Sequence, residues 1–462
     1  MAFIPTARIL WLAASQIDAF TTIPHHYVTT TLPSVKKAAV HRQRFNFLSS
    51  AVSDIQNHED TSMNAETTTT TTSPSKPHKR RERYSGRYPK NFKDKYKERQ
   101  GDEATISKVL AKGMTPAGQH VPIMVKECLH YMGLEEDHQE NSEPILVVDC
   151  TLGYGGHSSY ILKQIMNSTD ARLIAFDQDS VEIKKTEERL RSSVLKQNAT
   201  VMESSGGEEI FTAVNQNFAE LGAYMTATNQ LGKVTSLLAD LGLSSMQIDN
   251  NDRGFTYKRD GPLDMRMNPN DDSIETAYQL LQRLRVRQLK SILKENSDEE
   301  FAAELAVGLI GKGNKIPATT IELADRVRDI ARPLIEKQNN WNSGQQLGKN
   351  QAKKLKSQLD STIARVMQAI RIEVNGEFHV LDKLLDDLPT KILSPGGRVV
   401  MLTFHSGEDR RVKKSFKSGF NSGIYSAWSR DVVRPTKEEK RDNPRSSCCK
   451  LRWAVRSDQN AS

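Results

Sequence analysis

The chain is poor in cysteine, in aromatic residues and in apolar residues generally, and each shortage closes off a class of protein. Its 462 residues include four cysteines. Cys128, Cys150, Cys448 and Cys449 show no CxxC spacing, and the last two are adjacent and cannot readily bridge to each other. That pattern argues against a disulfide framework and a zinc site, and predicts a reducing compartment and no metal. No apolar run approaches the roughly eighteen residues that cross a bilayer, so no membrane partner is expected. Apolar residues make up 37% of the chain and aromatics 6%. This is low for a chain folded throughout, and part of it is expected to lie outside any core. The length still leaves room for about two to three domains.

Acidic residues are missing from the beginning. Up to residue 53 the only one is Asp18, among Ser, Thr, Ala and the scattered bases Arg8, Lys36, Lys37, Arg42 and Arg44. Organelle transit peptides have this composition, and "ILWLAA" after Arg8 adds a short apolar stretch, so a plastid or mitochondrial address is expected. The run Thr67 to Thr72 has no means of building a core. Between Lys76 and Arg99 the chain carries eleven Lys or Arg against three acids, a net charge equal to the +8 of the whole chain. Tyr84, Tyr88, Phe92 and Tyr96 are interleaved with those bases. The mixture suits phosphate contact and base stacking on RNA, and it equally suits a solvated linker.

Ordered sequence is expected from "HVPIMVKECLHYM" at His120 onward. Four apolar runs of buried-strand length follow, "PILVVD" (144–149), "RLIAFDQD" (172–179), "VTSLLADLGLSS" (234–245) and "GGRVVMLTFHS" (396–406). Separated by helical patterns, such runs predict an α/β fold with a mostly parallel sheet covered on both faces. Residues 273–370 read as helix almost throughout, a helical module set into the α/β domain. "EFHVLDKLLDDLPTKIL" (377–393), with Phe378, Leu381, Leu384, Leu385, Leu388 and Ile392 on one face, leads back to the sheet.

The first run ends at Asp149 and opens into Gly153, Gly155, Gly156 and His157. Glycines between a strand and a helix admit a ligand closer to the backbone than a Cβ would. The spacing is G-x-G-x-x-S, with Ser158 where a dinucleotide site has its third glycine, and such a loop alone also serves as a plain turn. Asp177 closes the second run, twenty-one residues after Gly156, where an acid can accept both hydroxyls of a ribose; Asp179 is better placed to cap the next helix. A ribose without a pyrophosphate fits S-adenosylmethionine better than NAD. Asp240 closes the third run and is followed by Gln247. Asp149, Asp177, Asp240 and the His405 region are therefore expected around one crevice at the strand ends, any one of them being alternatively a satisfied buried acid.

"DLGLSSMQIDNNDRGFTYKRDGPLDMRMNP", with "HVPIMVKE", "DCTLGYGGHSSYIL", "AFDQD", "NFAEL", "QAIRIEVNGEF", "PGGRVVMLTFHSGEDRRVK" and "NPRSSCCKLR", closely resembles the bacterial MraW family. Its members methylate N4 of a cytidine in the decoding centre of small-subunit (16S-type) ribosomal RNA. The resemblance implies a Rossmann-like class I methyltransferase, dependent on S-adenosylmethionine, with an inserted all-helical domain. The resemblance runs from about His120 to Arg456; together with the composition of the N-terminal stretch it divides the chain into a targeting peptide and spacer (1–75), a basic linker (76–115), a catalytic domain in two parts (116–270 and 371–462) and the helical insertion (271–370). It implies cofactor contacts at Gly155, Gly156, His157, Asp177, Phe218, Asp240 and Gln247. The partner it implies is small-subunit rRNA or the assembling small subunit; the N-terminal address puts this in an organelle, otherwise in the cytoplasm, and a homodimer is left open. Departures are Gly407 for a leucine in "FHSGED", "NSDEE" (296–300) for "YGEE", "IARVMQA" (363–369) for "TRTFQA", and an enlarged linker at 334–360.

The implied reaction presents the cytosine amino nitrogen to a sulfonium methyl and needs acceptors for the amino hydrogens, with no metal or covalent nucleophile. Candidates for the base pocket are Asp264, Arg266 and His405. Leu263, Met265 and Met267 alternate with Asp264, Arg266 and Asn268, so the methionines are expected to face the core and Asp264 and Arg266 the base. A salt bridge between Asp264 and Arg266 is the competing expectation. The insertion and "KEEKRDNPRSSCCKLR" are expected to hold surrounding RNA. Rival readings are a methyltransferase acting on another substrate, an NAD-dependent oxidoreductase disfavoured by Ser158, and a non-catalytic RNA-binding assembly factor.

Overall fold

The computed structural model describes residues 122–135, 144–166, 168, 170–195, 209–341 and 346–458; the expectations for 1–75 and for the basic stretch 76–115 lie outside these residues. One sheet contains β1 Ile145–Asp149, β2 Ala171–Phe176, β3 Phe211–Val214, β4 Val234–Asp240, β5 Leu393–Thr403, β6 Tyr425–Trp428 and β7 Lys450–Arg456, in the order 3-2-1-4-5-7-6. From β3 across to β5 the strands run parallel, and β7 is antiparallel to both β5 and β6.

In chain order the helices are α1 Val125–Met132, α2 Gly156–Ile165, α3 Glu182–Leu190, α4 Leu221–Ala227 and α5 Ser245–Asp249. The insertion follows as α6 Ala277–Arg283, α7 Val286–Ser297, α8 Ala302–Ile310, α9 Thr320–Gln338 and α10 Lys349–Asn375. The chain then returns through α11 Glu377–Asp387, α12 Ser406–Asn421 and α13 Lys437–Asp442.

The apolar runs form strands buried on both faces because successive side chains point to opposite sides. Val147, Leu173, Leu238 and Val400 pack under α1, α2 and α3. Val148, Ile174, Leu237 and Val399 pack under α4, α11 and α12, where Leu381, Leu384, Leu385, Leu388 and Ile392 form the apolar face read from sequence. β3, β6 and β7 were not anticipated. β3 spans only four residues, and β7 carries Lys450, Arg452 and Arg456. Arg452 is nevertheless 4% exposed, because Asp409 accepts its Nε at 2.6 Å.

The insertion has its own core, to which Leu263 and Met265 contribute alongside side chains of α6 to α10. The stretch 334–360 is largely helix, since α9 continues to Gln338 and α10 begins at Lys349. Ala331, Ile335, Leu355 and Leu359, with Trp341 and Leu347, close a separate small cluster there. Gly376, at φ 59°, ends α10 and starts α11; the left-handed conformation turns the chain between the two helices.

Candidate active site

The strand ends open into one crevice of about 710 Å³, within the range of small-molecule sites. Its lining combines the glycine loop, the ends of β2, β4 and β5, the inner face of α10 and the turn before β7.

The three strand-end acids divide into two kinds. Asp149 is 1% exposed, and its oxygens accept from Thr151 N–H at 3.0 Å and Ser158 Oγ at 2.6 Å. It is the satisfied buried acid and stands outside the crevice lining, which corrects the expectation that all three converge. Ser158, the odd residue of the glycine fingerprint, is there to bind it. Asp177 does line the crevice. Its carboxylate accepts from Gly153 N–H at 2.7 Å and Asp179 N–H at 2.8 Å. Burial pushes its pKa up to about 6 despite those two bonds. Asp240 is likewise raised to about 6 by burial, against the pull of His157. His157 Nδ1 lies 3.6 Å from Asp240 Oδ2. Its Nε2 is 2.9 Å from the Ile123 carbonyl, so Nε2 carries the proton and Nδ1 faces the acid.

Gly153, Gly156 and His157 face the crevice, but Gly155 does not. At φ 67° it precedes α2, and a Cβ there would stand 2.8 Å from Leu190 Cδ1, so its place is in the packing of the loop on α3. Phe218 and Gln247 line the crevice as expected. Gln247 is largely committed: its Oε1 accepts from Ser244 N–H at 3.0 Å, and its Nε2 donates to Asp179 at 3.2 Å. Asp179 also accepts from Val181 and Glu182 N–H at the entry to α3, the cap foreseen from sequence.

The segment 253–269 departs from its reading in part. Leu263, Met265 and Met267 are buried and Asp264, Arg266 and Asn268 half-buried, the alternation expected, although Met265 is left-handed at φ 63°. Met265 and Met267 also reach the crevice, while Asp264 and Arg266 are absent from its lining. These two pair with each other, Arg266 Nε to Asp264 Oδ1 and Nη2 to Oδ2, both at 2.9 Å. Arg266 Nη1 also donates to the Asp271 carbonyl at 3.1 Å. The salt bridge, not the base-facing arrangement, is what the structure contains. Arg253 fastens the segment to the sheet, donating to Asp179 Oδ2 at 2.8 Å and to the Met267 carbonyl at 2.7 Å.

His405 does line the crevice, at the start of α12. Its Nδ1 accepts from Glu408 N–H at 3.4 Å. Its Nε2 stands 3.1 Å from Glu408 Oε1 but off the hydrogen-bond line. Burial would raise Glu408, but His405, the Phe404 N–H and the Arg371 charge outweigh it and hold the carboxyl below its ordinary range. Arg371 donates to both oxygens of Glu377 through Nε and Nη2, at 2.8 and 2.9 Å. Glu377, His405 and Glu408 bring ligand atoms within 4.8 Å of one another. Arg371 already supplies the cation at Glu377, which leaves that trio poorly suited to a metal. Arg371, Asn375 and Glu377 lay in a quoted motif without an assigned role. Arg371 and Asn375 reach the site on the last turns of α10, and Glu377 opens α11.

A sequence model described as the MraW methylase family matches residues 117–457. The chain is 41% identical over 384 residues to ribosomal RNA small subunit methyltransferase H 1 of Lachnoclostridium phytofermentans, covering 82% of this chain and 93% of that protein. It is 41% identical over 391 residues to the protein of the same name from Agathobacter rectalis, covering 84% and 100%. Ribosomal RNA small subunit methyltransferase H 2 of Alkaliphilus metalliredigens is 38% identical over 383 residues, covering 82% and 97%.

Proposed function

The chain belongs to the MraW methylase family, and from that premise we propose that it methylates the N4 amino group of a cytidine in the decoding centre of small-subunit rRNA, with S-adenosylmethionine as donor. It is a methyltransferase of small-subunit ribosomal RNA. The observation that carries the donor assignment is the charge of the crevice at the glycine loop. Asp177, Asp179, Glu182 and Asp240 line that end. Arg253 already pairs with Asp179 and Lys185 with Glu182, so Asp177 and Asp240 carry the charge that repels a pyrophosphate and suits a ligand bearing sulfonium and ammonium charges.

When bound, S-adenosylmethionine supplies a methyl group on a positively charged sulfur. The protein's own groups do the rest. Asp177, anchored by two backbone N–H groups, keeps lone pairs for ribose hydroxyls. Phe218 offers a ring beside the adenine, and Gly153 and Gly156 leave the backbone open.

The cytosine nitrogen is a weak nucleophile because its lone pair is delocalised into the ring, so positioning carries much of the catalysis. Phe404, His405 and Glu408 line the crevice with Asp240 and supply acceptors for the amino hydrogens. Asp240, with its pKa near 6, suits a group that takes the departing proton and releases it near neutral pH. A base reaches such a crevice only when taken out of its stack, and Phe255, Tyr257, Met265 and Met267 give its faces apolar contact.

Action in an organelle is part of the proposal. It is supported by the composition of residues 1–53, where Asp18 is the only acid among Ser, Thr, Ala and scattered Arg and Lys. The test is to map N4-methylcytidine in plastid and mitochondrial small-subunit rRNA with and without the protein, and to repeat the transfer with purified protein and labelled donor. Loss of one modified cytidine and its restoration in vitro are expected. Label on another base, or on protein, would reject the assignment.

A further inference from the structure

Both ligands of the proposed reaction carry an oxyanion, a carboxylate on the donor and phosphates on the RNA, so the crevice needs a cation to receive one. Among its described lining residues, Arg371 and Arg445 are the Arg or Lys side chains. Arg371 is held by Glu377 along one edge of its guanidinium, through Nε and Nη2 at 2.8 and 2.9 Å. Arg445 is held far more loosely. Its Nη2 lies 3.4 and 3.5 Å from the two oxygens of Asp249, at the long end of hydrogen bonding. Its Nη1 is buried and has no hydrogen-bond partner, although 36% of the side chain as a whole is exposed.

Asp249 is shared. Arg259 Nη2 donates to its carbonyl at 2.8 Å and lies 3.4 Å from its carboxylate. The backbone under Arg445 is fixed, because it lies in the short turn Pro444–Cys448. Ser446 Oγ donates to the Asn443 carbonyl at 2.8 Å, and Arg434 Nη1 donates to the carbonyls of Cys448 and Cys449. A planar guanidinium in the crevice wall, with one buried donor unpartnered and the other held at long range, is suited to a carboxylate or phosphate.

We propose that Arg445 is the oxyanion site of the crevice, taking the carboxylate of the methyl donor or a phosphate of the substrate RNA. The proposal rests on the reading of the crevice as the methyl-transfer site and assigns it a residue at the wall before β7. Arg445→Gln removes the charge and Arg445→Lys keeps it; neither breaks a short bond, so both variants should fold, as thermal unfolding would verify. The full chain is titrated with S-adenosylmethionine by calorimetry and, separately, with a small-subunit rRNA fragment at two salt concentrations.

Arg445→Gln should weaken one of the two affinities about tenfold, the loss of one charged hydrogen-bonding group, while Arg445→Lys recovers most of it. Weakened donor binding with unchanged RNA binding identifies the carboxylate. Weakened RNA binding with a salt slope lower by about one identifies a phosphate. A folded Arg445→Gln protein with both affinities within about twofold of wild type would overturn the proposal and leave Arg445 as a counter-ion of Asp249. Both arms measure binding, so they stay readable even if the wild-type protein transfers no methyl group to RNA, the separate result that would reject the functional reading.

Discussion

Asn375 holds the backbone on both sides of Arg266. Its Nδ2 donates to the Met265 carbonyl at 2.8 Å, and its Oδ1 accepts the Met267 N–H at 2.8 Å. The last residue of α10 thus clips the chain that joins the β4 end to the insertion, at the point where both methionines face the crevice. The same Nδ2 reaches the Arg371 carbonyl at 2.9 Å, which ties the clip to the helix that carries Arg371.

Replacing Asn375 with Ala should therefore cost about 2 kcal/mol, because a backbone N–H and a carbonyl lose their partners in a partly buried place. The functional effect should fall on the acceptor side. The KM for RNA should rise while the dissociation constant for the donor stays near wild type, since Asp177 and the glycine loop are not touched. Denaturant unfolding with parallel donor titration checks this, and an equal loss of donor affinity would show that the segment supports the cofactor end instead.

Ser158 gives a contrasting case. Its hydroxyl donates to Asp149 at 2.6 Å in a place with no exposure. Ser158→Ala leaves a buried carboxylate short of a donor and should cost about 1–3 kcal/mol. Ser158→Gly, which recreates the dinucleotide spacing, should cost at least as much and gain no affinity for NAD. Thermal unfolding of the two variants beside a calorimetric NAD titration measures both points; NAD binding by Ser158→Gly would restore the dinucleotide reading.

The same two acids show how far the sequence could be read. Asp149 and Asp177 each close an apolar strand, and nothing local separates them. The distinction comes from Ser158 on one side and the Gly153 N–H on the other, both set by the fold. The strands buried on both faces were legible because burial leaves a continuous apolar run. β7 was not, because the charge of Arg452 is neutralised by Asp409, forty-three residues earlier in the chain. The alternation in Leu263 to Asn268 holds in space as well, with Leu263, Met265 and Met267 buried, but it could not show that Asp264 and Arg266 pair with each other instead of facing the crevice. Arg371, Asn375 and Glu377 were visible as a motif, but their role depends on α10 delivering them more than a hundred residues beyond the β4 end.

Gly407 stands where the family has a leucine, and the structure supplies a reason. A Cβ at 407 would lie 2.5 Å from Phe378 Cζ and 3.2 Å from His405 Nδ1. The Phe378 ring fills the space, stacked under the Arg411 guanidinium at 4.2 Å. Gly407→Leu should destabilise by about 1–3 kcal/mol through overpacking. It should also reduce turnover by displacing His405. Adding Phe378→Leu should recover at least about 1 kcal/mol, a coupling that a double-mutant cycle would read directly. Additive losses would mean that the two positions are independent.

The last prediction concerns pH. Burial raises Asp177 and Asp240 from the ordinary carboxyl range to about 6. In donor-free protein the protonated forms are therefore favoured relative to the unfolded chain. Their contribution to stability is complete below about pH 4 and is lost as pH rises through about 6. Donor binding runs the other way, because ribose hydroxyls donate to an ionised carboxylate and a sulfonium is attracted by one. Affinity for S-adenosylmethionine should accordingly increase as pH rises from about 5 to 7, and the donor's stabilising effect on unfolding should grow over the same interval. Asp177→Ala should abolish donor binding. Asp177→Asn, which cannot ionise, should bind weakly and with a flatter pH dependence than wild type. Calorimetric titrations across that range decide the matter: a wild-type affinity that does not change between about pH 5 and 7 would mean that neither acid contacts the donor in its charged form.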